Sequence, residues 1–348
     1  MITSADLHLS ENNGSQASVG LPMKVAVFSA KKYDQDGFTQ WADPSLQFSY
    51  FDSRLNALNV KLAQGCHAIC AFVNDDLSAD VLQQMSAMGI EMVALRCAGF
   101  NNVDLDTAKA LGIRIARVPA YSPEAVAEHT VAMMLTLNRK LHKAFNRVRD
   151  DNFAIDGLLG FNMHGKTVGL IGTGRIGLAT ARILKGFGCK LLCYDVEPTD
   201  ELADSYVSLN ELYAQSDIIS LHCPLNPATK HLINSDSLAK MRDGVMLINT
   251  SRGGLVNTKT VIQGLKSRKI GYLGLDVYEQ EADIFFENLS EQVIDDDVFK
   301  RLLTFPNVLI TSHQAFFTKE ALAQISTITS ENLMAFAGGN ATGNELVK

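Results

Sequence analysis

The chain has 348 residues, of which 47% are hydrophobic and 20% are charged, and its formal net charge is -7. Such a length suits two domains better than one, and the composition is typical of a globular protein. The acidic balance argues against a nucleic-acid partner. No apolar run approaches the roughly 20 residues that cross a bilayer, so a membrane partner is not expected either.

Residues 1–22 are rich in Ser, Asn, Gly and Gln and show no apolar period, which predicts a disordered extension. The stretch lacks the basic and apolar regions of a secretory signal, so we expect a cytoplasmic protein. The chain has 6 cysteines, and their spacing matches no common zinc pattern. We therefore expect buried, reduced thiols and no metal site.

From Met23 onwards, short apolar runs alternate with helical segments such as 78–89. Four runs are rich in residues that favour strands, at 24–29, 46–51, 67–72 and 91–96. Strands that alternate with helices predict a parallel sheet covered by helices on both faces.

A single long helix is predicted over 122–150. Ser122 is a candidate N-cap, Pro123 fits the first helical position, and Glu124 favours the positive end of the helix. Apolar residues recur on one face of this helix, at Val126, Met133, Met134, Leu137, Leu141, Phe145 and Val148.

A second α/β series begins at Lys166. Its six apolar runs read KTVGLIG, KLLCYD, DIISLHC, VMLINT, YLGLDVY and NVLITSH. Six strands with helices between them are expected of a doubly wound dinucleotide-binding, or Rossmann, domain. The chain then ends in a helical segment, TKEALAQISTITSENLMAF, which is expected to pack back on the first domain.

The predicted fold class is therefore α/β, with two doubly wound parallel-sheet domains. We expect a discontinuous first domain, residues 23–120 with 317–348, around a central domain of residues 121–316. The central domain would bind a dinucleotide and would include the long helix.

Gly172, Gly174 and Gly177 fit the G-x-G-x-x-G fingerprint in the right context, because a strand runs directly into the motif and a helix opens from it. These glycines would allow the tight turn, the close approach of a pyrophosphate and the packing of helix on strand, respectively. The helix N-terminus offers free N–H groups to phosphates, and Arg175 is placed to reach them. The next strand ends at Asp195, whose carboxylate would accept hydrogen bonds from ribose hydroxyls and repel a 2′-phosphate. The motif predicts NAD rather than NADP.

Three strand ends of the central domain carry candidate reacting groups, since ligands of open α/β sheets bind at the carboxyl ends of the strands. The planar guanidinium group of Arg252 presents several N–H donors in a fixed geometry that suits a carboxylate. His313 can exchange a proton near neutral pH, and Glu281 can hold its imidazole and favour the charged form. A carbonyl that accepts a hydride needs such a clamp, a proton donor and a group that orients the donor. Two rival histidines are His129, interpreted as structural within the long helix, and His222, in a strand-end loop beside the cofactor site.

Seven segments together resemble a known family. They are LRCAGFNNVD (95–104), VPAYSPEAVAEHT (118–130), GLIGTGRIG (169–177), SLHCPL (220–225), NTSRGG (249–254), LDVYE (275–279) and TSHQAFFT (311–318). The sequence is similar to the D-isomer-specific 2-hydroxyacid dehydrogenases over nearly all of residues 23–348. The resemblance implies reduction of a small 2-keto acid with NADH, with pyruvate to D-lactate as the first expectation.

The resemblance also implies roles at matching positions. Arg252 would bind the substrate carboxylate and polarise the carbonyl, with His313 as general acid and Glu281 hydrogen-bonded to it. Contacts to NAD are implied for Arg175, Ile176, Asp195, Cys223, Pro224, Thr229, Thr250, Ser251, Arg252 and Asp276. Asp276 would lie near the nicotinamide amide.

On the substrate side, the resemblance implies that the N–H groups of Ala98 and Gly99 hold the carboxylate. Tyr121 and Phe316 would wall the methyl group, although plain core packing explains these two aromatic residues equally well. The long helix would link the domains and help to form a homo-oligomer, a dimer or a tetramer.

Other functions stay open. Another 2-keto acid, such as hydroxypyruvate, glyoxylate or a branched compound, would need the same machinery. An NAD-sensing corepressor scaffold is disfavoured, because the chain has only a short N-terminal extension. A formate dehydrogenase is disfavoured too, because its chemistry would favour glutamine over Glu281 as the partner of the histidine.

Overall fold

The computed structural model describes residues 22–348. Apart from Pro22, the predicted N-terminal extension lies outside these residues. Within the described range, no helix is both long enough and apolar enough to cross a bilayer.

The elements alternate between strands and helices over most of the chain. The strands are β1 (Met23–Val27), β2 (Leu46–Tyr50), β3 (Ala68–Ala71), β4 (Met92–Leu95), β5 (Arg114–Ala116), β6 (Thr167–Ile171), β7 (Lys190–Tyr194), β8 (Ile218–Leu221), β9 (Val245–Asn249), β10 (Ile270–Leu275), β11 (Val308–Ile310) and β12 (Glu345–Val347). The helices are α1 (Lys32–Trp41), α2 (Ala79–Ala87), α3 (Leu105–Ala110), α4 (Pro123–Arg139), α5 (Leu141–Arg149), α6 (Arg175–Gly186), α7 (Leu209–Gln215), α8 (Ser235–Lys240), α9 (Thr258–Lys266), α10 (Asp297–Leu303) and α11 (Lys319–Ala337).

The chain divides into two compact units. The first comprises the described residues up to Arg117 together with Ile328–Lys348, and the second comprises Val118–Thr327. The first unit is thus discontinuous in sequence. Its boundaries fall at 117/118 and 327/328, whereas the sequence predicted 120/121 and 316/317.

The sheet of the first unit has the strand order β12-β5-β4-β3-β1-β2. All neighbours are parallel except β12, which pairs antiparallel with β5. Strands β3 and β4 are buried along their whole length, because helices cover both faces of a doubly wound sheet. The sequence did not predict β12, whose three residues are too few to show a period.

The sheet of the second unit is wholly parallel, in the order β11-β10-β9-β8-β6-β7. A single parallel bridge between Cys193 and Tyr206 adds a rudimentary strand outside β7. With that bridge, the order from the Tyr206 edge to β10 follows the 3-2-1-4-5-6 arrangement of the Rossmann fold, and β11 adds a seventh strand. The prediction of two doubly wound α/β sheets is confirmed.

The prediction of one long helix is wrong, because the helix breaks at Lys140. Ser122 caps α4 as predicted, with its Oγ 3.2 Å from the N–H of Ala125. Lys140 then takes a left-handed conformation with φ 53°, which ends α4 immediately before α5 begins. The apolar period continues across this break, so the sequence alone gives no sign of it.

Just beyond Lys140, several large apolar side chains are exposed to solvent. We call them the α5 face, and its members with their exposed fractions are Leu141 (55%), Phe145 (63%), Val148 (53%), Phe153 (71%), Ile155 (81%) and Leu159 (86%). These side chains were predicted to continue the buried face of the long helix as far as Val148. The described part of the chain does not cover them.

Candidate active site

The glycine-rich turn between β6 and α6 depends on three glycines for three different reasons. Gly172 has φ +98°, and a Cβ there would lie 2.5 Å from the backbone nitrogen of Cys223. A Cβ on Gly177 would lie 2.1 Å from the carbonyl oxygen of Gly172. A Cβ on Gly174 would meet nothing within 4 Å. The first two positions are therefore fixed by backbone packing, and the third borders open space.

Helix α6 begins with Gly174 as its N-cap, and no side chain caps its first N–H groups. The first turn of an α-helix leaves such groups without intrahelical partners, which makes it a natural binding site for a pyrophosphate. Arg175 is exposed and Ile176 is half-buried in this turn. The turn therefore fits the phosphate part of a dinucleotide.

Asp195 follows β7 directly and is tied to the glycine-rich turn. Its Oδ2 accepts hydrogen bonds from the backbone N–H and the hydroxyl of Thr173, the latter at 3.1 Å. The Thr173 hydroxyl also lies 2.7 Å from the hydroxyl of Tyr206. Oδ1 accepts a hydrogen bond of 3.0 Å from the N–H of Glu197 and keeps a lone pair for a ribose hydroxyl. Sequence reasoning missed Thr173 and Tyr206, because the motif does not specify what orients the acidic residue.

Five more predicted cofactor residues follow β8 and β9, namely Cys223, Pro224, Thr229, Thr250 and Ser251. One hydrogen bond joins the two loops, and another lies within the loop after β8. The Ser251 hydroxyl donates to the Cys223 carbonyl at 2.8 Å, and the Thr229 hydroxyl donates to the Pro224 carbonyl at 2.6 Å. Burial raises the pKa of the Cys223 thiol to about 11, so this cysteine is an inert part of the wall.

His313 and Glu281 form the central pair of the site. The Nδ1 of His313 lies 2.8 Å from Oε1 of Glu281, and the two side chains are 16% and 15% exposed. Oε2 of Glu281 accepts a hydrogen bond of 2.9 Å from the N–H of Tyr278, which fixes the carboxylate. With Nδ1 engaged, Nε2 is the ring nitrogen left for a substrate, since no side chain of residues 22–348 with a described position pairs with it.

Asp276 holds the backbone on both sides of His313. Its carbonyl oxygen accepts a hydrogen bond of 2.7 Å from the N–H of His313, which has φ 54°. Its Oδ1 accepts hydrogen bonds from the Thr311 hydroxyl at 2.5 Å and from the N–H of Gln314 at 2.9 Å. Its Oδ2 accepts one of 2.9 Å from the N–H of Ala315. The left-handed conformation of His313, rare for a residue with a side chain, is thus held by the backbone carbonyl and the buried carboxylate of Asp276 together.

His129 reaches the same carboxylate from α4. Its Nε2 lies 3.4 Å from Oδ1 of Asp276 and 3.2 Å from the Thr311 hydroxyl. Burial on its own would raise the pKa of the Asp276 carboxyl, but hydrogen bonds from His129, Thr311 and the N–H of Ala315 outweigh it and hold that pKa below its ordinary value. Asp276 is therefore ionised, and its predicted contact with the nicotinamide stays a prediction.

Arg252 follows β9, and its loop meets the loop that leads to Glu281 through a close backbone contact. A Cβ on its neighbour Gly253 would lie 2.1 Å from the carbonyl group of Tyr278, so only glycine lets the two loops meet. Nη1 of Arg252 donates to the Ser251 carbonyl at 2.7 Å. Among side chains whose positions are described, no carboxylate lies within ion-pair distance of Arg252. Its remaining donors are available for a substrate carboxylate.

The remaining predicted site residues lie in both units. The rings of Tyr121 and Phe316 meet edge to face in the second unit, with centroids 6.3 Å apart. Ala98 and Gly99 follow β4 in the first unit. No group of three or more His, Cys, Asp or Glu side chains in the described part of the chain is suited to a metal ion. All six cysteines are unpaired, and two of them, Cys66 and Cys189, are only partly buried, contrary to the prediction of buried thiols.

Comparisons with known proteins agree with the geometry. The family model described as "D-isomer specific 2-hydroxyacid dehydrogenase, NAD binding domain" matches residues 131–315. The D-lactate dehydrogenase of Escherichia coli (strain K12) is 53% identical over 330 residues, which cover 93% of this chain and 100% of that protein. A 2-hydroxyacid dehydrogenase homolog of Haemophilus influenzae is 52% identical, over 92% of this chain and 98% of that protein.

Solved structures give the same picture. The apo-structure of D-lactate dehydrogenase from Escherichia coli has a TM-score of 0.85 at 50% identity, over 93% of this chain and 100% of that one. D-lactate dehydrogenase from Aquifex aeolicus, complexed with NAD and lactic acid, has a TM-score of 0.82 at 35% identity, over 93% of this chain and 99% of that one.

Proposed function

The chain belongs to the D-isomer-specific 2-hydroxyacid dehydrogenase family, and on that basis we propose that it catalyses the NAD-dependent interconversion of pyruvate and D-lactate. The observation that carries the proposal is the hydrogen bond of 2.8 Å between His313 and Glu281, in the same unit as Arg252, which has no described carboxylate partner. D-lactate dehydrogenases among the relatives support pyruvate as the substrate.

The residues divide the chemistry between them. When bound, NADH supplies the hydride that adds to the carbonyl carbon of pyruvate. Arg252 binds the substrate carboxylate and orients the carbonyl. Nε2 of His313 donates a proton to the carbonyl oxygen as negative charge develops there, while Glu281 stabilises the charged imidazole and keeps Nδ1 protonated. In the reverse direction, neutral His313 accepts the hydroxyl proton of D-lactate.

The two predicted contacts on the substrate side complete the proposal. The N–H groups of Ala98 and Gly99 are assigned to the carboxylate. Tyr121 and Phe316 are assigned to the methyl group, for which apolar ring edges suit pyruvate better than the hydroxymethyl group of hydroxypyruvate. We also propose the cytoplasm as the compartment, since reducing conditions keep six unpaired cysteines as thiols.

The first test measures NADH oxidation with pyruvate beside hydroxypyruvate, glyoxylate and 2-ketobutyrate. We expect the highest kcat/KM with pyruvate. His313→Ala and Arg252→Ala should each lower it by about 10²–10⁴-fold, the usual contribution of a positioned acid or charge clamp. The exposed His164 provides a matched control, and His164→Ala should keep full activity. Preference for another 2-keto acid would change the assigned substrate, and no turnover at all would leave a binding scaffold as the better description.

The Glu281→Gln variant tests the assigned proton donor. The amide keeps a hydrogen-bond acceptor beside His313 but removes the negative charge, so the charged imidazole becomes less favourable. We expect kcat/KM for pyruvate to fall by about 10²-fold, the lower end of the contribution of a positioned acid. Kd for NADH should not change. Wild-type kcat/KM in this variant, measured where chemistry limits the rate, would contradict the role of Glu281.

We propose further that copies of the chain associate through the α5 face. Exposed apolar patches usually mark an interface, and three members of the face, Leu141, Ile155 and Leu159, line one cavity. The face also carries charges of both signs, with Lys143 and Arg147 on α5 and Asp150, Asp151 and Asp156 after it. A two-fold interface sets each patch against its own copy, so such a mixed patch can be complementary to itself.

A further inference from the structure

The loop Ala98–Phe100 follows β4 and is part of the first unit. Other residues of that unit provide hydrogen-bond donors for its carbonyl groups. The Ala98 carbonyl accepts a hydrogen bond from Nη1 of Arg117 at 2.9 Å. The Gly99 carbonyl lies 3.3 Å from Sγ of Cys97, and the Phe100 carbonyl accepts from the N–H of Val103 at 3.1 Å. Every carbonyl in the loop is therefore satisfied.

The N–H groups of the same three residues have no hydrogen-bond partner among residues 22–348. Gly99 is buried, and Ala98 and Phe100 are half-buried. Buried backbone N–H groups are nearly always paired in folded proteins, so the unpaired N–H of buried Gly99, with two more donors beside it, points to an anionic ligand. The loop is a set of donors whose acceptor is not part of the described protein.

Arg117 is held firmly enough to fix this loop. It follows β5, the neighbour of β4 in the sheet, and it is the last residue of the first unit before the chain enters the second. Its N–H donates to the Asn344 carbonyl at 3.1 Å, and its carbonyl accepts from Nδ2 of Asn332 at 3.0 Å. Its guanidinium also lies 5.1 Å from the centre of the Phe100 ring, a cation–π contact.

The hydrogen bond to Ala98 sets the direction of the Gly99 N–H. The two groups belong to one peptide unit, which is planar and trans, so the C=O and the N–H point in opposite directions. A charged donor on the carbonyl also polarises the peptide and makes its N–H a stronger donor. No carboxylate with a described position pairs with Arg117, so its positive charge is not neutralised locally.

We propose that Arg117 is a positioning residue for the substrate carboxylate. It holds the Ala98–Phe100 loop so that the Gly99 N–H points towards the ligand, and its charge adds to the attraction for an anion. The inference rests on the proposed function, because it takes the anion to be the carboxylate of a 2-keto acid.

The test compares Arg117→Met and Arg117→Lys with a matched control, Arg114→Met. Arg114 lies on β5 and donates to the Asn340 carbonyl at 2.6 Å and to Glu345 at 3.3 Å, so it touches the C-terminal segment and not the loop. The measurements are KM and kcat for pyruvate, Kd for NADH, Kd for oxamate in the NADH complex, and Tm.

We expect Arg117→Met to raise KM for pyruvate and Kd for oxamate by about tenfold, the usual size of a lost charge-assisted hydrogen bond. Kd for NADH should not change. Arg117→Lys should restore part of the loss, because an ammonium group keeps the charge but lacks the planar fork. Arg114→Met should leave KM unchanged, whatever its effect on Tm.

Three results would overturn the inference. Unchanged KM and oxamate affinity in Arg117→Met would do so, and so would equal increases in KM in Arg117→Met and Arg114→Met that follow a lower Tm. If Arg117→Met does not fold, Arg117→Lys decides, and wild-type oxamate affinity in that variant counts against the inference. A wild-type protein that turns over no 2-keto acid would overturn the proposed function itself, which distinguishes the two failures.

Discussion

His222 lies beneath the glycine-rich turn as a neutral imidazole. Its Nε2 is 2.9 Å from the Ser220 hydroxyl, and its Cβ would be 3.5 Å from a Cβ on Gly177. Burial lowers the pKa of His222 from 6.5 to about 4. Between those two values the unfolded chain binds a proton that the folded chain does not, so the folded state loses stability as the pH falls.

We therefore expect His222→Gln to flatten the loss of stability between pH 6.5 and pH 4. One proton is linked to about 1.4 kcal/mol per pH unit, and partial contact with solvent reduces the total to about 1–3 kcal/mol. Urea unfolding of the NAD-free protein across this range measures the effect. The difference between the two slopes is the relevant quantity, because carboxylates titrate in both proteins. Parallel slopes would show that His222 is protonated in the folded state.

At the scale of single residues, the sequence predicted site residues that follow strands. It missed the residues that hold those site residues in place through hydrogen bonds. Arg252 and His313 could be proposed because strand ends of a doubly wound sheet meet at one edge. His129, Thr311 and Arg117 could not, because their contacts depend on which strands are neighbours. The role of His129 as a partner of Asp276 is a case in point, since a lone histidine within an apolar helix gave only a structural interpretation.

At the scale of elements, α6 contains two glycines with opposite requirements. Gly177 packs against the carbonyl of Gly172, whereas a Cβ on Gly186 would meet nothing within 4 Å. We expect Gly177→Ala to lower Tm and to weaken NADH binding about tenfold or more, because forced overlap costs about 1–3 kcal/mol. Gly186→Ala should keep the affinity and gain up to about 1 kcal/mol of helix stability. NADH titration and thermal unfolding of both variants check this, and equal NADH affinity in the two would refute the packing argument.

The strands were predictable for a physical reason that the helices do not share. Strands β3, β4, β8 and β9 are buried on both faces, so each reads as an unbroken apolar run. The end of α4 had no such signal, because the left-handed Lys140 is neither glycine nor asparagine. The side chain of Lys140 instead donates to the Gly157 carbonyl at 2.6 Å, a contact that only the folded chain defines.

For the whole molecule, the α5 face predicts an oligomer. The mass measured by light scattering should be a multiple of the chain mass of 37.9 kDa. Phe145→Glu places a charge in the α5 face and should yield the monomer, since an unpaired buried charge is costly. Val293→Glu is the matched control, because Val293 is 89% exposed and lies outside that face. The proposed interface would be contradicted if the wild-type protein has the mass of a monomer. It would also be contradicted if Phe145→Glu and Val293→Glu change the mass equally.

The order of the strands along the sequence predicted two units, but it did not predict the second boundary between them, at 327/328. Helix α11 continues across 327/328 without a glycine or proline, so the chain passes from one unit to the other inside a regular helix. The sequence placed the boundary before the helix, at 316/317, because elements are normally taken as whole. Only packing decides where such a helix changes partners.

The discontinuity of the first unit has a consequence for biosynthesis. A ribosome releases residues in order, so the second unit can close as soon as Thr327 has emerged, while the first still lacks α11 beyond that point and β12. Asn332 and Asn344, which fix the backbone of Arg117, belong to the segment made after the second unit. A nascent chain can therefore complete its dinucleotide fold before Arg117 is anchored, and of the two units the one whose synthesis starts first is the one that finishes folding later.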